Sequence, residues 1–224
     1  FGCIKKMSES NNENIIAIDG PAGSGKSTIA KALAKRLNLE YLDTGAMYRA
    51  VALISIQQEV EITDEKQVLG IAKEMDFNFE DGSCVVNGFD ATKEIRGSEV
   101  TRAVSAVAAM PTVRHEMVKR QRLWVEKRNG GVVEGRDIGS VVFPKAKVKV
   151  YLTASEEVRA ERRIEQEETL DASKVADSIR KRDAADKGRS TSPLVRSEGA
   201  IEIDTSLMGI EETIEEILEI FKWN

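Results

Sequence analysis

Gly20-Pro21-Ala22-Gly23-Ser24-Gly25-Lys26-Ser27, followed by Thr28, fits the pattern G-x-x-x-x-G-K-[ST]. Glycines at this spacing permit a tight loop whose successive backbone N–H groups point inward, and a helix starting at its end adds a partial positive charge. The natural guest of such a loop is a phosphate. With a nucleoside triphosphate, Lys26 would reach the β- and γ-phosphates and the Ser27 hydroxyl would bind the Mg²⁺ that bridges them. The pattern leaves the acceptor open, because kinases, GTPases and motor-like ATPases share it.

Transfer to a phosphorylated acceptor gathers several negative charges, which the site must offset with cations. Arg49, Arg136, Arg182 and Arg189 occur at loop or helix-edge positions, with Arg159, Arg162 and Arg163 nearby in a charge-rich stretch. Any one of them is equally well read as part of a solvated helix face. The Asn-Lys-x-Asp and Asp-x-x-Gly patterns of a guanine-reading switch are not found. The single histidine, His115, has no acid–base partner in the sequence and reads as a helix-surface residue. Cys3 and Cys84 lie far apart without a zinc or disulfide pattern and read as reduced thiols.

These residues need a frame. Asn14 to Asp19 is a short apolar run bounded by polar and Gly/Pro residues, as in a buried strand. From Thr28 to Leu37, Ile29, Leu33 and Leu37 recur every four residues, which predicts an amphipathic helix. Further apolar runs at Leu39–Leu42, Val132–Val133, Val148–Leu152 and Ala200–Ile203, separated by helical patterns, predict an α/β fold with a parallel sheet. Phe77 to Phe89 carries the turn pairs Asp81-Gly82 and Asn87-Gly88 and predicts a small antiparallel insert. Arg159 to Arg189 predicts a lid with a helix over 172–182 followed by a loop, and Ile210, Ile214, Ile217 and Phe221 predict a C-terminal helix packed on the core. Val113 to Arg128 is rich in cations, but the interleaved Val113, Met117 and Trp124 make it an amphipathic helix in preference to a nucleic-acid surface.

The 224 residues include 33 basic and 38 acidic side chains, a net charge of −5, which excludes a strongly cationic nucleic-acid binder. With 41% hydrophobic and 32% charged residues, the chain can fill a core and keep a solvated surface. Only 5% are aromatic, so that core rests on Ile, Val, Leu and Ala. No apolar run reaches the roughly 18 residues that span a bilayer, and a cytoplasmic protein without a membrane partner is expected. The six residues before Met7 are either an extended natural start or an added one.

Asp43-Thr44-Gly45-Ala46-Met47-Tyr48-Arg49, Glu134-Gly135-Arg136-Asp137-Ile138-Gly139, Arg182-Asp183-Ala184-Ala185-Asp186-Lys187-Gly188-Arg189 and Ser192-Pro193-Leu194, taken with the glycine loop, resemble the bacterial cytidylate kinase family. The likeness runs from about Ile15 to the C-terminal helix. It implies a single domain, 1–224, with a three-layer P-loop kinase core around a five-stranded parallel sheet. The core would take in 14–60, 130–160 and 195–224, the antiparallel acceptor-binding insert about 61–129, and the lid about 159–189. It also implies Mg²⁺-dependent transfer of the ATP γ-phosphoryl group to CMP or dCMP by a monomer that binds these small molecules and no nucleic-acid polymer.

By the same resemblance, Lys26, Arg136, Arg182 and Arg189 are catalytic, and Gly20 to Thr28 with Arg159 and Arg162 bind ATP. Arg49, Arg136 and Arg189 would grip the acceptor phosphate, and Ser105, Arg114 and Asp137 would read the cytosine edge. Arg182 and Asp186 would meet the ribose, and Thr44 would make a further acceptor contact or, with Asp43, cap the helix near Ala46. Glu134 stands where the resemblance leads one to expect Asp. With Ser27 it is a metal candidate, holding a metal-bound water or positioning Arg136. A kinase of another small acceptor, such as UMP or shikimate, and a P-loop module that only senses nucleotide are the alternatives.

Overall fold

Strand β1 (Ile15–Asp19) is buried along its whole length, as a strand covered on both faces must be. In the computed structural model, which describes residues 12–79, 82–167 and 172–223, it lies at the centre of a five-stranded sheet. Beside it run β2 (Tyr41–Asp43), β6 (Gly131–Gly135), β7 (Val148–Thr153) and β8 (Ile201–Asp204), in the order β2-β6-β1-β7-β8. All four pairings are parallel. Alternate residues of β1 serve opposite faces, as the period of two requires. Ile15 and Ala17 join one apolar cluster with Leu42, Val51, Val113, Met117 and Val133. Ile16 and Ile18 join a second with Ile29, Leu33, Val150, Ile214 and Ile217.

Helix α1 (Lys26–Leu37) and helix α8 (Ile210–Trp223) cover the second face, while α2 (Thr44–Gln57) and α5 (Pro111–Arg128) cover the first. Between them run α3 (Glu65–Glu74), the antiparallel strands β3 (Phe77–Asn78), β4 (Val85–Val86) and β5 (Phe89–Asp90), and α4 (Ser98–Val107). Asn87 and Gly88 both take the left-handed conformation that a tight hairpin turn demands. Asp81, of the other expected turn pair, lies outside the described residues. Cys84 is buried and unpaired among the described residues, its thiol pushed up to about 12 by burial, and Cys3 lies outside them. No described helix is long and apolar enough to cross a membrane.

Four local expectations are corrected. The run at Leu39 becomes a strand only from Tyr41, because Asn38 turns left-handed to end α1 and the Leu39 N–H bonds back to Ala34 at 2.9 Å. Helix α1 begins at Lys26, two residues before the expected start. Helix α7 (Ala172–Lys187) runs through the stretch expected to be a loop after Arg182. Ala184 and Ala185 favour helix, and Asp183 and Asp186 are satisfied by arginines instead of by local turn bonds. Finally, Ile210 is 52% exposed, so the buried face of α8 starts at Ile214.

Candidate active site

The C-terminal ends of β1, β2 and β6 lie level, with Asp19 opposite Gly135 and Asp43 opposite Glu134. The chain leaves β1 toward one edge of the sheet and later returns to fill the other, so this level edge is a topological switch point, where open α/β sheets bind ligands. A cleft of about 2150 Å³ opens there. Its lining includes Ala22 to Thr28 of the glycine loop, Glu134, and Thr44, Arg49, Ser105, Arg114, Arg136, Asp137, Arg182, Asp186 and Arg189.

The glycine loop is built for close quarters. A Cβ on Gly20 would collide with the Leu152 carbonyl oxygen, and Gly25 enters α1 at φ 85°, a conformation glycine adopts freely. Gly20 and Pro21 form the back of the loop and do not line the cleft. The Lys26 ammonium is buried and donates to the Pro21 carbonyl at 2.6 Å. Desolvation, and then the Arg136 charge, push its pKa down to about 7. A nearby anion therefore has much to offer this lysine. Ser27 Oγ donates to Glu134 Oε2 at 3.0 Å, and the Tyr41 hydroxyl donates to Glu134 Oε1. Burial raises the Glu134 pKa, with Asp43 adding to the effect.

In the same cleft, Asp186 anchors two guanidiniums: Arg136 Nε donates to it at 2.8 Å, and Arg189 pairs with its other oxygen. Burial opposes this charge, yet Arg136 and Arg189 hold Asp186 below the usual carboxylate range. Arg49 donates to the Ile95 carbonyl and Thr101 Oγ1, and burial lowers its pKa to about 10. Arg182 falls to about 9 through burial, then through Arg136 and Arg49. Four cations crowded in a partly dry cleft have the charge an anion would offset. Deeper in, Arg114 and Asp137 form a buried ion pair, Arg114 donates to the Ala108 carbonyl at 3.0 Å, and its guanidinium lies 5.4 Å from the Tyr48 ring centroid. Ser105 is half-buried in the same cleft.

Two expected sites are re-sorted by these contacts. Arg159 does not line the cleft: it pairs with Asp183 and donates to the Ala22 carbonyl at 3.1 Å, while Asp183 accepts from the Ala22 N–H at 3.2 Å. The pair thus clasps one residue of the glycine loop from helix α6 (Glu156–Glu167) and from α7. Arg162 does line the cleft, with its guanidinium held by Thr205 at 2.9 and 2.8 Å. Asp43 caps α2 by accepting from the Ala46 N–H, which leaves the Thr44 hydroxyl to donate to the Glu134 carbonyl at 2.7 Å.

Sequence reasoning missed Asp19, Tyr41, Tyr48, Asp183 and Thr205. Asp19 and Thr205 each end or follow a parallel strand on the cleft side, which is the one signal that marks them. Asp19 accepts from the Ile138 and Gly139 N–H groups at 2.8 and 2.7 Å, and burial raises its pKa from 3.8 to about 6. Between those values the folded state binds more protons than the unfolded one, so stability falls as pH rises through that window. Relative to Asp19→Asn, the wild-type protein is expected to lose about 3 kcal/mol of unfolding free energy between pH 3.5 and pH 6.5. Urea melts of both proteins across that range check this, and a constant difference refutes it.

A profile of the cytidylate kinase family matches residues 16–223. The chain is similar to a cytidylate kinase of Geobacillus sp. (strain WCH70), 49% identical over 214 residues that cover 92% of this chain and 95% of that one. It is also similar to a cytidylate kinase of Caldanaerobacter subterraneus subsp. tengcongensis, 44% identical over 213 residues covering 93% and 95%. Among solved structures, an uncharacterized protein from Eubacterium ventriosum ATCC 27560 shares the fold at a TM-score of 0.53 and 15% identity, over 95% of this chain and 99% of that one.

Proposed function

The chain belongs to the cytidylate kinase family, and from that premise we propose how its side chains divide the transfer of the ATP γ-phosphoryl group to CMP or dCMP, which yields ADP and CDP or dCDP. The observation that carries the proposal is one cleft lined both by the glycine loop and by Arg49, Arg136, Arg182 and Arg189. Loop N–H groups and Lys26 take the donor phosphates. Guanidinium forks of Arg49, Arg136 and Arg189 hold the acceptor phosphate in line, so catalysis rests on orientation and charge neutralisation. Arg182 lies where charge accumulates between the nucleotides, and with Asp186 it meets the ribose. Ser105, Arg114 and Asp137 take the cytosine edge: an acceptor oxygen suits the exocyclic amine, and guanidinium donors suit the ring acceptors.

Ser27 and Glu134 fit Mg²⁺ by chemistry, since both present hard oxygens 3.0 Å apart beside the loop. No group of three or more His, Cys, Asp or Glu that could hold a metal occurs among the described residues. Ser27 would therefore bind the ion directly and Glu134 through water, with triphosphate oxygens completing the shell, as suits an ion that retains waters. When bound, Mg²⁺ neutralises charge on the β- and γ-phosphates. The partners in this reading are the two nucleotides, and the enzyme works as a cytoplasmic monomer.

An acceptor panel of CMP, dCMP, UMP and shikimate at fixed ATP, read by coupled ADP release, tests the reading. CMP or dCMP is expected to give the highest kcat/KM, and another acceptor in first place overturns it. Asp137→Ala is expected to narrow the preference for CMP over UMP by about 10- to 100-fold, because a buried partner left unpaired no longer penalises the wrong base. An unchanged ratio removes Asp137 from base recognition.

A further inference from the structure

Asp137 occupies the residue before a π-helical turn, Ile138–Val142, the position from which an Asp side chain ordinarily accepts from the turn's first free N–H groups. Asp137 makes no such bond. Its carboxylate pairs with Arg114 and lines the cleft. The donors it leaves are taken from another strand: Asp19 Oδ1 accepts from Ile138 N–H at 2.8 Å and Asp19 Oδ2 from Gly139 N–H at 2.7 Å. Asp19 is only 2% exposed and immediately precedes the glycine loop. Packing pins the same turn, since a Cβ on Gly139 would sit 2.6 Å from Ser197 Oγ.

We propose that Asp19 is a positioning residue for acceptor choice: by capping the 138–142 turn from β1, it frees the Asp137 carboxylate to face the acceptor base. Asp19 touches neither nucleotide and acts through the backbone that carries Arg136 and Asp137. The inference rests on the cytidylate-kinase reading of Asp137. In Asp19→Asn, one of the two acceptor oxygens becomes an NH₂ facing an N–H donor, so one cap bond is lost and a donor–donor repulsion replaces it. Asp137 then swings toward the uncapped amides and away from Arg114.

Steady-state kinetics with CMP and UMP, and with ATP varied, on wild type, Asp19→Asn, Asp137→Ala and the double variant, make the test. Asp19→Asn is expected to lower the CMP-over-UMP ratio of kcat/KM about tenfold, with KM for ATP within about twofold, and to add nothing in the Asp137→Ala background. A ratio unchanged from wild type overturns the inference, as does an equal loss for CMP, UMP and ATP, which marks a merely structural role. If Asp19→Asn does not fold, Asp19→Ser, whose hydroxyl can accept at one amide, is read the same way. Independently, the Gly139 amide of the wild-type protein is expected to exchange slowly, and exchange at the rate of an open loop overturns the cap in the unmodified chain. A wild-type enzyme without preference for CMP would instead sink the underlying reading.

Discussion

Lys26→Ala is expected to lower kcat about 10³-fold, with the dissociation constant for CMP staying within about threefold of wild type. The ammonium is buried, held at the Pro21 carbonyl, and pushed down to about 7 by desolvation and by Arg136. A triphosphate would add counter-charge to that of Glu134 and Asp19, which only partly offset burial and Arg136, and the attraction would grow as negative charge shifts onto the β–γ bridge during transfer. Loss of an interaction that strengthens in the transition state falls on kcat. The substitution leaves Arg49, Arg136 and Arg189, the proposed acceptor contacts, in place, so CMP binding is expected to persist. Turnover assays and calorimetric CMP titration check both halves, and a parallel loss of CMP affinity would show that the cleft does not hold separate donor and acceptor subsites.

Arg136→Ala is expected to lower kcat/KM for CMP about 10³-fold, and Arg136→Lys to recover no more than about tenfold of that. Arg136 Nε is committed to Asp186 at 2.8 Å, which aims the remaining N–H groups along one direction. Lysine keeps the charge, but its three donors sit on one freely rotating nitrogen with no planar fork to anchor on one edge and aim from the other, so it restores attraction without alignment. Asp186 still pairs with Arg189 in either variant, so the thermal midpoint is expected to move by only a few degrees. Rate measurements beside thermal melts separate the two effects. Full recovery by lysine would mean that charge alone is needed there.

Much of the frame is legible in the sequence because it follows from repetition: short buried strands, helices with four-residue apolar spacing and a glycine loop between the first of each. The end of α7 was not, since Asp183-Ala184-Ala185-Asp186-Lys187 reads locally as a polar loop. What makes it helix are Arg136, Arg159 and Arg189, of which Arg136 and Arg159 stand 50 and 24 residues from the aspartates they bind. The partners of Arg159 were hidden for the same reason: its type suits a phosphate, and only the fold sets it against Ala22 and Asp183. Asp19 read as the last residue of a strand, and its two bonds to Ile138 and Gly139 span a separation that no local pattern carries.

The fastening of the glycine loop has a kinetic side. Both the N–H and the carbonyl of Ala22 are held by Asp183 and Arg159, the Ser24 carbonyl accepts from Thr205 Oγ1 at 3.3 Å, and Gly20 is wedged against Leu152. With its outward-facing polar groups tied down, the loop has already surrendered its conformational entropy during folding and loses little more when a guest arrives. Capture of the first substrate at this wall should therefore proceed at a rate set by diffusion and long-range attraction, with any slow step of the cycle arising elsewhere in the molecule.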